Sequence, residues 1–431
     1  MAGPENITGA MLPEKLPAAG WLGEPEVGQV MDALLAGPGV EARFVGGCVR
    51  DVIRGRHHYD GKPDVDVATT AEPHEVIELL TQAGLKAVPT GIDHGTITAV
   101  ANHRPVEVTT LRCDVATDGR RADVVYTRDW VADAERRDLT MNAIYAERDG
   151  TLYDPLGTGI ADAVNGTVRF VGDPDTRIRE DYLRILRFFR FFAHCGAGEM
   201  DRNGLSACAR HIDGIAQLSA ERIATELLKL LAAEDPIPAL RQMAATGVLN
   251  AVLPEARNID RLQTLCAIDA DNFFTPDPLL RLGALLPEDA EQADALARRL
   301  RLSNAQRTRL SAMLGADERI FCYMSVRETR RAAYRLGPAV MRDVAMLRWA
   351  EDPKRDGNMV QWRALLPMIE SWQPPKLPLS GEQVKLAGVP EGPEIGRVLA
   401  EVEAWWIDAD FTQDEYALIE RLKAVVQATV L

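Results

Sequence analysis

The 431-residue chain reads as an α+β protein, a small mixed-sheet head followed by an all-helical remainder. Three observations lead there. Between about residues 26 and 170, apolar spacing switches repeatedly between the three-to-four step of helices and the alternation of strands. From about 173 onward only helical spacing remains, with turns at Asp235-Pro236, Asp277-Pro278, Gly337-Pro338 and Trp372 to Pro378. No repeat of fixed period interrupts this order.

The elements follow in sequence. Residues 1–25 form an irregular lead-in. Glu26 to Ala36 is expected to be a helix, apolar at Val27, Val30, Met31 and Leu34, with Pro25 just ahead where proline is tolerated. Ala42 to Val45 is a short apolar strand closed by Gly46-Gly47, and Cys48 to Arg54 resumes as helix. Val65 to Thr69 alternates as a strand, and His74 to Ala83 is a helix stopped by Gly84. His94 to Val100 and Pro105 to Leu111 are further strands. Arg112 to Trp130, rich in Asp, Arg and Gly, is expected to be a mobile loop. The domain reading is a head at 26–172, then helical segments at 173–255, 256–372 and 373–431, with Gln373 to Pro378 as the late linker.

Composition narrows the class. Hydrophobic residues at 46% can fill several cores, and no apolar run approaches the roughly 20 residues of a membrane span. The N-terminus lacks the basic start and apolar middle of a signal peptide, so a cytoplasmic protein is expected. Six scattered cysteines contain no CxxC pair, which suggests neither a zinc site nor a disulfide framework. The net charge of −15 argues mildly against nucleic-acid binding, so any such function must rest on a local basic cleft.

Asp64-Val65-Asp66-Val67 is the most informative short segment. On a strand the two aspartates share a face, about 6 to 7 Å apart at Cα, while the valines turn inward. Paired carboxylates repel unless a cation sits between them, and magnesium takes hard oxygen ligands while sharing substrate phosphates. Two such ions can hold the attacking and leaving oxygens of a phosphoryl transfer. A solvated edge with two surface aspartates has the same spacing, but Glu107, flanked by Val106 and Val108 on another expected strand, supplies a third acid. Val45-Gly46-Gly47-Cys48-Val49-Arg50-Asp51 runs from strand to helix. Its glycines would let backbone N–H groups approach a phosphate. An ordinary strand-to-helix turn would look the same. The segment lacks GxGxxG and its downstream acid, which removes a dinucleotide-binding oxidoreductase.

Together these segments resemble the signature of class II tRNA nucleotidyltransferases, the CCA-adding enzymes, and of their relatives the bacterial poly(A) polymerases, within the DNA polymerase β-like superfamily. Gly91 to Thr96, Glu107 to Arg112, Arg136 to Ala143 with its "RRD" run, Asp154 to Gly157 and Glu180 to Phe191 resemble further family motifs in order. Leu218 to Ile223 and Gly392 to Gly396 match more weakly. The resemblance implies a polymerase β-like palm followed by a helical neck, body and tail. It also implies template-independent addition of C, C and A to the 3′ end of tRNA from CTP and ATP. Asp64, Asp66 and Glu107 would be the catalytic acids and hold Mg2+. Gly46, Gly47 and Arg50 would meet the triphosphate, and Arg137, Asp138 and Asn142 would line the nucleotide site.

Asp181 and Arg184, three apart and so neighbours on one helix face, would mimic the edge of a complementary base. Arg187 and Arg190 would turn towards phosphates or RNA, and Phe188, Phe189, Phe191 and Phe192 towards the core. An intrahelical Glu180–Arg184 pair is the plainer reading of that helix. The Arg112 to Trp130 segment takes the place of a family loop that helps switch from C to A. A poly(A) polymerase, a partial CC- or A-adding enzyme, and an inactive RNA-binding scaffold are the alternatives.

Overall fold

The computed structural model describes residues 12–56, 63–117 and 122–429. It divides into two compact units, residues 1–254 and 255–431.

The first unit opens with α1 (Pro25–Leu35), β1 (Ala42–Val45) and α2 (Gly47–Ile53). Next come β2 (Asp66–Thr69), α3 (Pro73–Gln82), β3 (Lys86–Gly91), β4 (Thr96–Ala101) and β5 (Arg104–Thr110). The strands form a seven-stranded sheet with β8 (Tyr145–Ala146) and β9 (Leu152–Tyr153), in the order β3-β4-β5-β2-β1-β8-β9. Only β2 and β5 run parallel within it. Helices α1 and α3 cover one face. Val67, Val106 and Val108 are buried, as the alternation requires.

On the other face, Ala68 is buried with Trp130, Ala134, Ala143 and Tyr145. That cover includes α4 (Trp130–Glu135), and Asp66 at the start of β2 is half-buried.

The sequence reads Arg112 to Trp130 as a loop, but β6 (Arg112–Thr117) and β7 (Ala122–Tyr126) form a separate antiparallel ribbon. Thr, Val and Tyr favour a pleated backbone, and the charges between them obscured the alternation. Residues 118–121, like His57-His58, lie outside the described residues. Likewise, His94 belongs to a 3-10 turn ahead of β4 and not to the strand.

Helices complete the unit: α5 (Gly159–Asn165), α6 (Pro174–Glu180), α7 (Leu183–Cys195), α8 (Arg202–Arg210), α9 (Ala220–Leu231), α10 (Ile237–Ala245) and α11 (Val248–Val252). The sequence expects one helix from Glu180 to Phe191, and the structure divides it. Asp181 is extended at φ −155° and ψ 106°, between α6 and α7. Its carboxylate accepts from the Leu183 N–H at 3.1 Å, the bond by which an aspartate starts a helix. The Tyr182 ring lies where a Cβ on Gly214 would stand, so that glycine is needed for the break. The α7 phenylalanines are buried as expected, with Phe188 stacked on Phe170 at 5.0 Å.

The second unit is helical throughout: α12 (Ile259–Asn272), α13 (Pro278–Leu285), α14 (Ala290–Arg299), α15 (Asn304–Leu314), α16 (Val326–Leu336), α17 (Pro338–Glu351), α18 (Met359–Ser371), α19 (Gly381–Leu386), α20 (Pro393–Asp408) and α21 (Glu415–Thr429). The Asp277-Pro278 and Gly337-Pro338 turns become helix starts, with Asp277 capping the Leu279 and Leu280 N–H groups. No helix among the described residues is long and apolar enough to cross a membrane.

A buried ion pair, Arg281 with Asp269 at 2.9 Å, joins α13 to α12. Burial raises the Asp269 carboxyl and Arg281 opposes that shift. Arg281→Met is therefore expected to cost about 3–5 kcal/mol at pH 8, where it strands a buried charge. The cost should shrink toward pH 5 as Asp269 takes up a proton. Urea unfolding at the two pH values checks this.

Candidate active site

Asp66 opens β2, and in the parallel register with β5 it faces Glu107 directly. Neighbouring strands stand about 4.8 Å apart, so the two carboxylates share one face as near neighbours. Asp64 precedes the strand instead of lying on it, although Val65 is buried and its carbonyl accepts from the Glu107 N–H at 3.1 Å. The out-in-out alternation of Asp64, Val65 and Asp66 therefore survives without a ladder at Asp64.

Burial first, then the negative charges of Glu107 and Asp64, push the Asp66 carboxyl up to about 6, while Arg137 pulls it down. Three hard oxygen donors that repel one another suit a divalent cation. Among the described residues, no three His, Cys, Asp or Glu side chains already converge on one point. A pair of acids completed by triphosphate oxygens does not need that convergence. The donor set therefore fits the ion.

Gly46, at φ +79° and ψ −133°, turns β1 into α2 beside this face, in a conformation that only glycine adopts freely. A Cβ there would come within 3.6 Å of Asp66 Oδ2. Gly47 begins α2, and Arg50 follows, bonded to Asp51 at 2.8 Å and to the Asn142 side chain at 2.7 Å. Asn142 donates to Asp138 at 3.1 Å, and Asp138 takes two bonds from Arg187 at 2.8 and 2.6 Å. Arg190 pairs with Glu226 of α9. The expected residues Arg50, Asn142, Asp138 and Arg187 thus form one continuous chain of bonds. The ring of Phe191 packs beneath three arginines, with Arg190 at 4.0 Å, Arg50 at 5.1 Å and Arg187 at 5.4 Å. Burial pushes the neighbouring Cys48 thiol up to about 12, which leaves it unreactive.

A cavity of about 310 Å³ is lined by Arg136, Arg137, Asp138, Asp181, Leu183, Arg184, Arg187 and Arg222. Five arginines against two aspartates make it a basic pocket in an acidic protein. Arg137 belongs to its wall, and its charge is the one that reaches Asp66. Asp181 and Arg184 both line this cavity, but across the helix break and not along one helix face. Asp181 pairs with Arg222 at 2.7 Å. Arg184 pairs with Glu180, the plainer contact, and also donates to the Arg177 carbonyl at 3.0 Å. Arg222 and Glu226 of α9, Asp133 of α4 and Tyr145 of β8 are the members that sequence reasoning missed. Asp133 stands within the run Asp133-Ala134-Glu135-Arg136-Arg137-Asp138, where one charge among five looks like a solvated helix face.

The family model described as "Poly A polymerase head domain" matches residues 42–169. A second, "Probable RNA and SrmB- binding site of polymerase A", matches residues 199–259. The CCA tRNA nucleotidyltransferase 1, mitochondrial, of Mus musculus is 35% identical over 393 residues, covering 89% of this chain and 86% of the relative. The chain belongs to the CCA-adding enzyme and poly(A) polymerase family. A CCA-adding enzyme of Levilactobacillus brevis is 30% identical, over 88% of this chain and 93% of its own. Among solved structures, the Bacillus stearothermophilus CCA-adding enzyme in complex with CTP has a TM-score of 0.73 at 26% identity, covering 94% of this chain and 100% of that one. As a member of the CCA-adding family, the chain is a nucleotidyltransferase, and its mixed-sheet head followed by helices is the family's fold.

Proposed function

We propose that this protein adds C, C and A in turn to the 3′ end of tRNA, from CTP and ATP and without a nucleic-acid template. The observation that carries the reading is the basic cavity beside an acidic strand face, with Arg137 reaching from one to the other. The net charge of −15 is no obstacle, because the positive charge that a triphosphate needs is concentrated there. Relatives of mouse and Levilactobacillus carry names that state this activity, and a solved neighbour holds CTP.

In this reading Asp64, Asp66 and Glu107 hold Mg2+, which when bound polarises the α-phosphate and eases ionisation of the RNA 3′-hydroxyl. Gly46 and Gly47 bring backbone N–H groups toward the triphosphate. Arg50 and Arg137 neutralise its charge. Asp138, Asn142 and Arg187 brace Arg50 and the floor of the cavity through the bonds described above, with Arg190 set against Glu226. Asp181 accepts from the exocyclic amine of cytosine or adenine, and Arg184 donates to the ring acceptor beside it. Head (26–172), neck (173–255), body (256–372) and tail (373–431) are the divisions we assign, with the helical segments holding tRNA by shape and phosphates. We place the reaction in the reducing cytoplasm, consistent with six free cysteines.

A poly(A) polymerase is the second reading, favoured by the head-domain match. Purified protein with Mg2+ and a tRNA transcript ending before CCA separates the two. Two additions with CTP, then one with ATP and arrest, are expected. A long ladder with ATP alone would establish poly(A) synthesis instead. Chelation by EDTA should abolish extension, and excess Mg2+ should restore it.

A further inference from the structure

One buried acid that the reading above does not use stands against the basic cavity. Asp133 of α4 is 1% exposed. Its Oδ1 accepts from Arg136 Nε at 2.8 Å and from the backbone N–H of Arg112, where β6 begins, at 3.3 Å. Its Oδ2 accepts from the Tyr145 hydroxyl at 2.7 Å and from Arg137 Nη2 and Nε at 2.9 and 3.2 Å. Burial opposes the charge, but Arg137, Arg136 and Tyr145 hold the carboxyl at about 2. An acid bonded at both oxygens to this many donors is a fixed point in the fold.

The two arginines that it holds are consecutive, and both line the basic cavity. Among the described residues, Asp133 is the ion-pair partner of Arg137. A guanidinium carries five N–H donors. In Arg137 the Nε hydrogen is shared between Asp133 and the Tyr145 hydroxyl oxygen at 3.2 Å each, one Nη2 hydrogen goes to Asp133, and one Nη1 hydrogen goes to the Asn142 carbonyl at 3.4 Å. The Tyr145 ring lies 5.3 Å from the same guanidinium. What remains is one hydrogen on each terminal nitrogen, two donors for phosphate oxygens.

We infer that Asp133 is a positioning residue for nucleotidyl transfer, which aims the free edge of Arg137 at the triphosphate and keeps Arg136 beside it without touching substrate. This rests on the reading of Arg137 as a triphosphate contact. The carboxylate also ties the base of the β6–β7 ribbon to the same pair of arginines, through the Arg112 N–H.

The test is steady-state kinetics on the full chain with tRNA substrates and Mg2+. Asp133→Asn keeps the shape and removes the charge. The KM for CTP and for ATP should rise together by about tenfold or more, with kcat changing less than about threefold. Asp133→Glu should recover part of the loss. In an Arg137→Ala background, where the nucleotide KM is already raised, Asp133→Asn should add less than about twofold. Tyr145→Phe removes one donor from Asp133 Oδ2 and one acceptor from Arg137 Nε, and keeps the ring. It should raise both KM values about twofold to threefold, and it keeps the inference open to disproof if Asp133→Asn does not fold.

A lowered unfolding midpoint with KM unchanged in Asp133→Asn and Tyr145→Phe would overturn the inference. So would losses that multiply in the Arg137→Ala background. If Arg137→Ala leaves KM unchanged, the reading of Arg137 falls and the inference with it. If Arg137→Ala raises KM while Asp133→Asn does not, the inference alone falls.

Discussion

Asp66→Asn is expected to lower kcat for both C and A addition by at least about a thousandfold, and at the same time to raise the thermal unfolding midpoint in metal-free buffer at pH 7.5. The two effects have one cause. Asp66 opens β2 opposite Glu107, with Asp64 two residues before it. Burial and those two charges push its carboxyl up to about 6. A carboxyl raised on folding holds a proton that the unfolded chain has already released between about pH 4 and 6, so stability falls as pH rises through that window. At pH 7.5 the ionised Asp66 is a liability to the fold. Asparagine removes the repulsion and removes a ligand oxygen charge with it. Mg2+ should then raise the midpoint of the wild-type protein and have little effect on the variant. Calorimetry with EDTA and with Mg2+, paired with single-turnover extension, measures both. A variant that unfolds earlier than wild type in EDTA, or that keeps a tenth of kcat, would remove Asp66 from the centre of the site.

That site was only partly legible in the sequence. Alternation around Val65, Val67, Val106 and Val108 placed Asp66 and Glu107 on outward faces of two strands, and the structure sets those strands side by side in parallel register. Nothing in the spacing says which strands adjoin, because pairing is decided by packing over the whole sheet. Asp64 fell outside the strand, next to Pro63, which has no N–H to offer a ladder.

The β6–β7 ribbon escaped notice because its acidic and basic residues hid a short alternating pattern. Asp133 escaped because a residue's burial depends on what packs over it, in this case Tyr145 from β8, twelve residues on. Arg222 and Glu226 reach the site from α9, about forty residues beyond Asp181 and Arg190. Helical spacing alone cannot report such tertiary partners. It also carried straight through Asp181, where the aspartate's own side chain ends one helix and starts the next.

That break makes the largest specificity effect testable. Asp181→Ala is expected to lower C and A incorporation and to reduce discrimination against U and G by roughly a hundredfold. An ionised carboxylate only accepts hydrogen bonds, so it favours the amines of cytosine and adenine and repels the carbonyl oxygens of uracil and guanine at the same edge. Held by Leu183 N–H at one oxygen and Arg222 at the other, Asp181 cannot rotate away from the cavity without losing both bonds. Because it stands in extended backbone, its direction is independent of the face of α7 that carries Arg184. Two adjacent groups can therefore converge on one base where a continuous helix would splay them. Removing Asp181 deletes the repulsion together with the attraction, so the wrong bases gain ground relative to the right ones. Asp181→Asn should also admit U and G, since its amide can present a donor in place of an acceptor. Single-nucleotide incorporation with each of the four triphosphates, on tRNA ending before C and before A, gives the ratios. A uniform loss for all four, with selectivity intact, would make Asp181 a helix-starting residue and leave base choice to Arg184 and the cavity walls.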